Sequence, residues 1–182
     1  LEKAWAKVNG GYVNCIAGYP SDVLSTLTSF PNKYYTHTEE ISKGKDEFWQ
    51  LLLKSAKNDD ICTASSIGQD DKQQNNGIVL GHAFSLFSAA EGMINGELVR
   101  LLKLRNPWGN TEWKGKWSDG SVEWTDEAKK VFGEQENKDD GCFWIDFEDY
   151  LNFFSCTEIC MFMNPQITKS ITIPEESASF GN

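Results

Sequence analysis

Residues 78–109 read IVLGHAFSLFSAAEGMINGELVRLLKLRNPWG, two apolar runs on either side of Asn95-Gly96. Ile78 to Phe87 reads as one strand and Leu98 to Arg105 as another, separated by a Gly92 to Gly96 turn region holding a favoured hairpin pair, so the two should pair antiparallel. The second strand has a defined end, because Pro107 forces Asn106 into extended geometry and cannot donate to a ladder. His82 sits in the first strand behind Gly81, which leaves room for another backbone or a substrate to approach. A lone histidine on an apolar strand is more often a core residue satisfied by a backbone carbonyl, and here the partner strand decides. A strict two-residue turn would put His82 and Asn106 on opposite faces, whereas a one-residue bulge or longer loop would set them side by side. Side by side, the Asn106 side-chain oxygen can accept the Nδ1 proton of His82 and leave Nε2 facing a nucleophile, with Trp108 covering the bond from water.

Outward from the hairpin, the elements are mixed. Leu1, Ala4, Trp5 and Val8 form a helical stripe that begins with no capping residue, as if cut inside a helix, and Gly10-Gly11 ends it. Residues 14–44 carry no sustained period and read as loop and short strand. Lys45 to Lys57 reads as a helix, with Phe48 and Leu52, and Trp49, Leu53 and Ala56, at helical spacing. A strand near Ile61 to Ile67 precedes the polar tract Gly68 to Gly77, which has too little apolar surface to order itself and is expected to be a mobile loop. Further on, Thr125 to Phe132 reads as a helix capped by Thr125 or Asp126, Cys142 to Phe147 as a strand, Asp146 to Phe153 as a short helix and Thr157 to Phe162 as a last strand. The expected class is α+β with a mainly antiparallel sheet, and the Ser-, Thr-, Pro- and Glu-bearing stretch from 164 to 182 is expected to be a linker toward a further domain.

Composition bounds the function. The chain has 182 residues, enough for one domain or one lobe of a larger one, and 17 basic against 27 acidic side chains give a formal charge of −10. That balance argues against nucleic acid as a partner. There is no run of about 18 apolar residues, so no membrane span is expected. Five cysteines, Cys15, Cys62, Cys142, Cys156 and Cys160, are an odd number at irregular spacing, which fits a reduced, intracellular protein. With no C-x-x-C and only two histidines, no zinc site is predicted.

Gly81-His82-Ala83-Phe84-Ser85 followed by Arg105-Asn106-Pro107-Trp108-Gly109 resembles the calpain-type cysteine proteases. Leu1 to Gly10 is similar to that family's opening helix, Glu112 to Asp119 to its post-Asn segment, and Asp140 to Trp144 with Glu158-Ile159-Cys160 to its closing stretch, so the resemblance covers residues 1–163. It implies the second lobe of a papain-like core, an antiparallel sheet or barrel with flanking helices. In the family the nucleophilic Cys and an oxyanion-hole Gln lie in the first lobe, and the His, Asn and Trp in the second. None of the cysteines here stands in the nucleophile setting, so the resemblance implies half of a cytoplasmic, calcium-dependent endopeptidase, inactive alone. The upstream lobe of the same parent chain and protein substrates would be its partners. His82 would act as acid and base, Asn106 would orient it and Trp108 would shield the pair; residues 68–77 occupy the place of a substrate-gating loop.

Glu112, Asp119, Asp139 and Asp140 gather carboxylates in two loops, a chemistry suited to calcium, though an acidic chain also scatters such residues in loops. By resemblance Glu112, Asp119 and Asp140 fall on calcium-ligand positions, with the backbone of Lys138 as a further ligand, while Cys142 stands where the family usually has Glu. Two other readings stay open: a catalytically silent calpain-like calcium scaffold, and a module whose Trp108, Trp113, Trp117 and Trp124 stack on sugars or peptide prolines. Exposure of those indoles is what separates the last reading from the others.

Overall fold

The computed structural model describes residues 1–69, 72–133 and 138–161. The expected linker at 164–182 lies outside the described residues. Among the described residues six α-helices, α1 (Glu2–Val8), α2 (Pro20–Thr28), α3 (His37–Lys43), α4 (Lys45–Lys57), α5 (Asp126–Phe132) and α6 (Phe147–Phe153), and a 3-10 turn at Tyr12–Cys15 accompany six strands. The strands are β1 (Asn32–Thr36), β2 (Ile61–Ser66), β3 (Ala83–Ile94), β4 (Glu97–Arg105), β5 (Cys142–Asp146) and β6 (Phe154–Cys160). They form one open antiparallel sheet in the order β1-β6-β2-β3-β4-β5. The class is α+β as expected, and the sheet does not close into a barrel.

Alternation along the strands divides the apolar residues between two layers. Leu102, Leu104, Phe143, Ile145, Phe84 and Ile159 face Phe48, Trp49 and Leu52 of α4 and Phe147 and Tyr150 of α6, making the main core. Leu101 and Trp144 point the other way and pack with Ile94, Trp117, Trp124 and Ala128. Trp113, Trp117 and Trp124 are therefore all buried and only Trp108 of the four indoles is exposed, which removes the stacking surface a carbohydrate or proline-binding module needs.

Several boundaries differ from the sequence reading for identifiable reasons. Residues 14–44 hold two helices and a strand: α2 starts on Pro20 at its first turn, and its second residue's amide is capped from afar, Ser21 N–H donating to the buried Glu158 Oε2 at 2.6 Å. The run from Ile78 is not extended throughout. Gly81 adopts φ +60°, so β3 begins at Ala83, and a Cβ at position 81 would lie 2.9 Å from Gln69 Cα and Gly68 O. The polar tract is also tied down rather than free: Gln74 N donates to Ile78 O, Leu80 N to Lys72 O and Lys114 N to Asn76 O. Ile78 and Val79 then insert into the core. Residues 70 and 71 of that tract lie outside the described residues.

Candidate active site

Asn95 and Gly96 both take positive φ, 50° and 83°, the left-handed pair that a two-residue hairpin of this type demands. From Ile94↔Glu97 the ladder runs regularly to Ser88↔Lys103, then resumes at Leu86↔Leu104, leaving Phe87 as an extra residue on β3. That bulge changes the parity of everything before it. Ser85 now faces Arg105, so His82 and Asn106 project on the same side, the bulge being the one of the two expected routes that the chain takes. Phe87 itself turns outward and is exposed.

His82 Nε2 lies 3.0 Å from Asn106 Oδ1. The sequence reading gave this contact to Nδ1, and the structure reverses the two ring nitrogens. The orientation of the amide needs no assumption, because Asn106 Oδ1 also accepts the Trp108 backbone N–H at 3.1 Å and Nδ2 donates to Thr111 O at 3.1 Å. An oxygen can only accept, so Nε2 is the protonated nitrogen of neutral His82, and Nδ1 carries the ring's lone pair. Asn106 is fully buried, and its backbone is anchored by its own N–H to Gly141 O at 2.8 Å. Gly141 is required at that approach, since a Cβ would stand 2.6 Å from Asn106 O. The Trp108 indole lies over the imidazole at a centroid distance of 4.6 Å and 52°, and it remains half exposed, so one face covers His82 while the other meets solvent.

His82, Gly81 and Ala83 line one wall of an open cleft of about 550 Å³, whose other wall comes from Trp5 of α1, Asn9, the connection at 14–19 and the first turn of α2. Cys15 shares this cleft, with Sγ 3.7 Å from Gly11 O. Two further contributors were not legible in the sequence. Ser66 holds the backbone of His82, and Thr111, at φ 64°, turns its carbonyl onto Asn106. No spacing rule connects either to the histidine.

The carboxylates gather beside a second open cleft, of about 670 Å³, lined by Glu112, Asp119 and Asp139. Glu112 Oε1 accepts the Asp140 and Gly141 amides at 2.9 and 2.7 Å, Asp119 Oδ2 accepts the Lys138 amide at 3.1 Å, and Asp140 Oδ1 accepts the Cys142 amide at 2.9 Å. Burial raises the pKa of Glu112, with repulsion from Asp119 and Asp139 adding to it; burial likewise raises that of Asp119, with Asp140 adding. Asp140 is held below the usual range, chiefly by the Cys142 amide. Burial raises the Cys142 thiol, and its hydrogen bond to Asp140 does the same. Among the described residues no three His, Cys, Asp or Glu side chains form a group that could hold a metal. The oxygen donors suit a hard cation in kind, but one oxygen of each is committed to backbone amides.

Comparison with known proteins gives the family. The family model described as calpain family cysteine protease matches residues 1–161. The calpain-1 catalytic subunit of Mus musculus is 33% identical over 188 aligned positions, covering 99% of this chain and 25% of the relative. That of Homo sapiens is 34% identical over 178, covering 95% and 24%, and calpain clp-4 of Caenorhabditis elegans is 36% identical over 167, covering 88% and 23%. The chain thus spans about a quarter of the length of these curated relatives. With a histidine locked to a buried asparagine beneath an indole and a family match across the whole described chain, this protein belongs to the calpain family of cysteine proteases.

Proposed function

We propose that this chain is the His/Asn-bearing half of a calcium-dependent intracellular cysteine endopeptidase, whose nucleophilic Cys comes from an upstream lobe of the same parent chain. The observation that carries this reading is the bond from His82 Nε2 to the buried Asn106 Oδ1 under Trp108. With Nε2–H committed to Asn106, Nδ1 is the atom that takes the thiol proton, and the resulting imidazolium is stabilised by the Asn106 oxygen and desolvated by the indole. The thiolate attacks the peptide carbonyl; as the C–N bond breaks, Nδ1 returns its proton to the leaving amine, leaving a thioester. Nδ1 then takes a proton from water as its oxygen attacks the thioester, and the returning thiolate leaves the acid product. Protein substrates would lie in the cleft between His82 and residues 14–23.

Glu112, Asp119, Asp140 and the Lys138 carbonyl are the residues that would hold calcium, with Cys142 contributing no carboxylate. Bound calcium would supply charge neutralisation for carboxylates that repel one another. Five free thiols support a reducing compartment.

The test is to treat the parent protein with a thiol-reactive epoxide, with and without calcium, and to locate the label by peptide mass mapping. Calcium-dependent labelling of one Cys upstream of Leu1, lost in His82→Ala, is the expected result. Labelling confined to Cys15 overturns the proposal of an upstream nucleophile, and no labelling in a folded parent overturns it in favour of a silent scaffold.

A further inference from the structure

Asn106 fixes the ring of His82, but the ring is aimed only if the backbone that carries it is fixed as well. Residues 79–82 make a tight reversal into β3, at whose third position Gly81 takes φ +60°. In an ordinary four-residue turn the first carbonyl would accept the fourth amide directly. Here the Ser66 hydroxyl stands between them. Oγ accepts the His82 N–H at 3.0 Å and donates to Val79 O at 2.5 Å, with His82 O as a second, longer acceptor at 3.2 Å. The Ser66 backbone N–H closes the frame by donating to His82 O at 3.0 Å. Ser66 is only 3% exposed and Val79 is wholly buried, so water is not available to replace either bond. A hydroxyl is the smallest side chain that accepts and donates at one atom, which is what bridging an N–H to a C=O requires. The ladder between β2 and β6 shifts register between Ser65 and Ser66, which marks the same residue as the point where β2 leaves its regular pairing.

We propose that Ser66 is a positioning residue for His82, its hydroxyl wedged into the 79–82 turn so that the imidazole meets Asn106 with Nε2 protonated. The clamp itself rests on geometry alone; its bearing on turnover rests on the reading of His82 as acid and base.

The experiment therefore has a readout independent of catalysis. The chain has two histidines, and comparison with His37→Gln assigns the His82 ring resonances in a histidine-labelled sample. Nitrogen shifts of neutral His82 should report the Nε2–H tautomer in the unaltered chain, loss of that bias in Ser66→Ala, and its recovery in Ser66→Thr, which keeps the hydroxyl. A folded Ser66→Ala with the bias intact overturns the proposal. Should Ser66→Ala fail to fold, amide exchange in the unaltered chain decides: protection of the His82 N–H is required, and exchange at the rate of an open loop overturns it. In the parent protease, Ser66→Ala should lower kcat by on the order of 10-fold to 100-fold with KM nearly unchanged, since misplacing a reacting group costs the chemical step rather than binding. An inactive parent whose His82 still loses its tautomer in Ser66→Ala would defeat the protease reading and leave the clamp standing.

Discussion

Two histidines in one chain face opposite demands. His82 sits at the edge of a cleft, while His37 is buried against Phe48 and Tyr150. Nδ1 of His37 donates to Phe154 O at 2.7 Å and Nε2 accepts from Thr157 Oγ1 at 2.9 Å, which in turn receives the Tyr150 hydroxyl at 2.6 Å. Every partner is matched to a neutral ring, and burial lowers its pKa to about 4. The unfolded chain binds a proton near 6.5 and the native chain does not, so stability is lost as pH falls from 6.5 to 4, by about 3 kcal/mol in total. Glu112 and Asp119, with raised values, contribute the opposite sign, gaining stability as they protonate. Urea unfolding from pH 7 to pH 4 should therefore show a steeper loss in the native chain than in His37→Gln, which keeps a donor and an acceptor but cannot titrate. Parallel curves would show that His37 is charged in the folded state. Asn106→Ala gives a second contrast at this scale. It strips the partners of the Trp108 amide, the Thr111 carbonyl and His82 at one buried point, and should cost about 2 kcal/mol. His82→Ala, on a half-buried ring, should cost less in the same unfolding measurement.

At the scale of elements, a single extra residue decides whether the site exists. Deleting Phe87 would restore an unbroken ladder from the Asn95-Gly96 turn and carry His82 to the opposite face of the sheet from Asn106. Ring contacts between His82 and Trp108 should vanish from the nuclear Overhauser spectrum while the far-ultraviolet circular dichroism stays nearly unchanged; persistence of those contacts would mean that the turn, not the bulge, sets the register. Helix α6 tests the ordinary case. Asp146 Oδ1 accepts the Asp149 amide at 2.8 Å, and Asp146→Ala should lower stability by about 1 kcal/mol in the same denaturation assay. The contrast shows what was legible. Helix α4 declares itself through period and charge, and it spans Lys45–Lys57 as the spacing predicts. Helix α2 is short and sets Val23, Leu24 and Leu27 at helical spacing among Ser and Thr inside a loop-like composition, and its first turn is held by Glu158 from 137 residues away, which no local pattern can announce. The hairpin strands and their turn residues were readable, but the bulge was only a condition, because one exposed Phe in an apolar run carries no mark of being unpaired. The same holds for the nitrogen that meets Asn106, which depends on the path of residues 79–82 and so on Ser66.

For the whole molecule the governing quantity is charge. A formal −10 on 182 residues leaves acidic groups without enough cations to pair, and in the cleft lined by Glu112, Asp119 and Asp139 burial raises the pKa of the first two. Backbone amides relieve part of it, but each supplies only a partial charge. A divalent cation binding there would gain by neutralising carboxylates that repel one another, and it would meet the second oxygen of Glu112 and of Asp119, since the first of each already ties 112 to 140–141 and 119 to 138. Since a ligand that binds only the folded state stabilises it by mass action, calcium at about 100 times its dissociation constant should add about 2.7 kcal/mol. For a chain of this length that is a rise in Tm of roughly 5–10 °C by differential scanning calorimetry. Magnesium, which demands tighter octahedral geometry, should give less, and Asp119→Asn should abolish most of the rise while leaving the His82 to Asn106 bond in place. If calcium and magnesium raise Tm equally at equal ionic strength, the cleft is a screened acidic patch and not a calcium site.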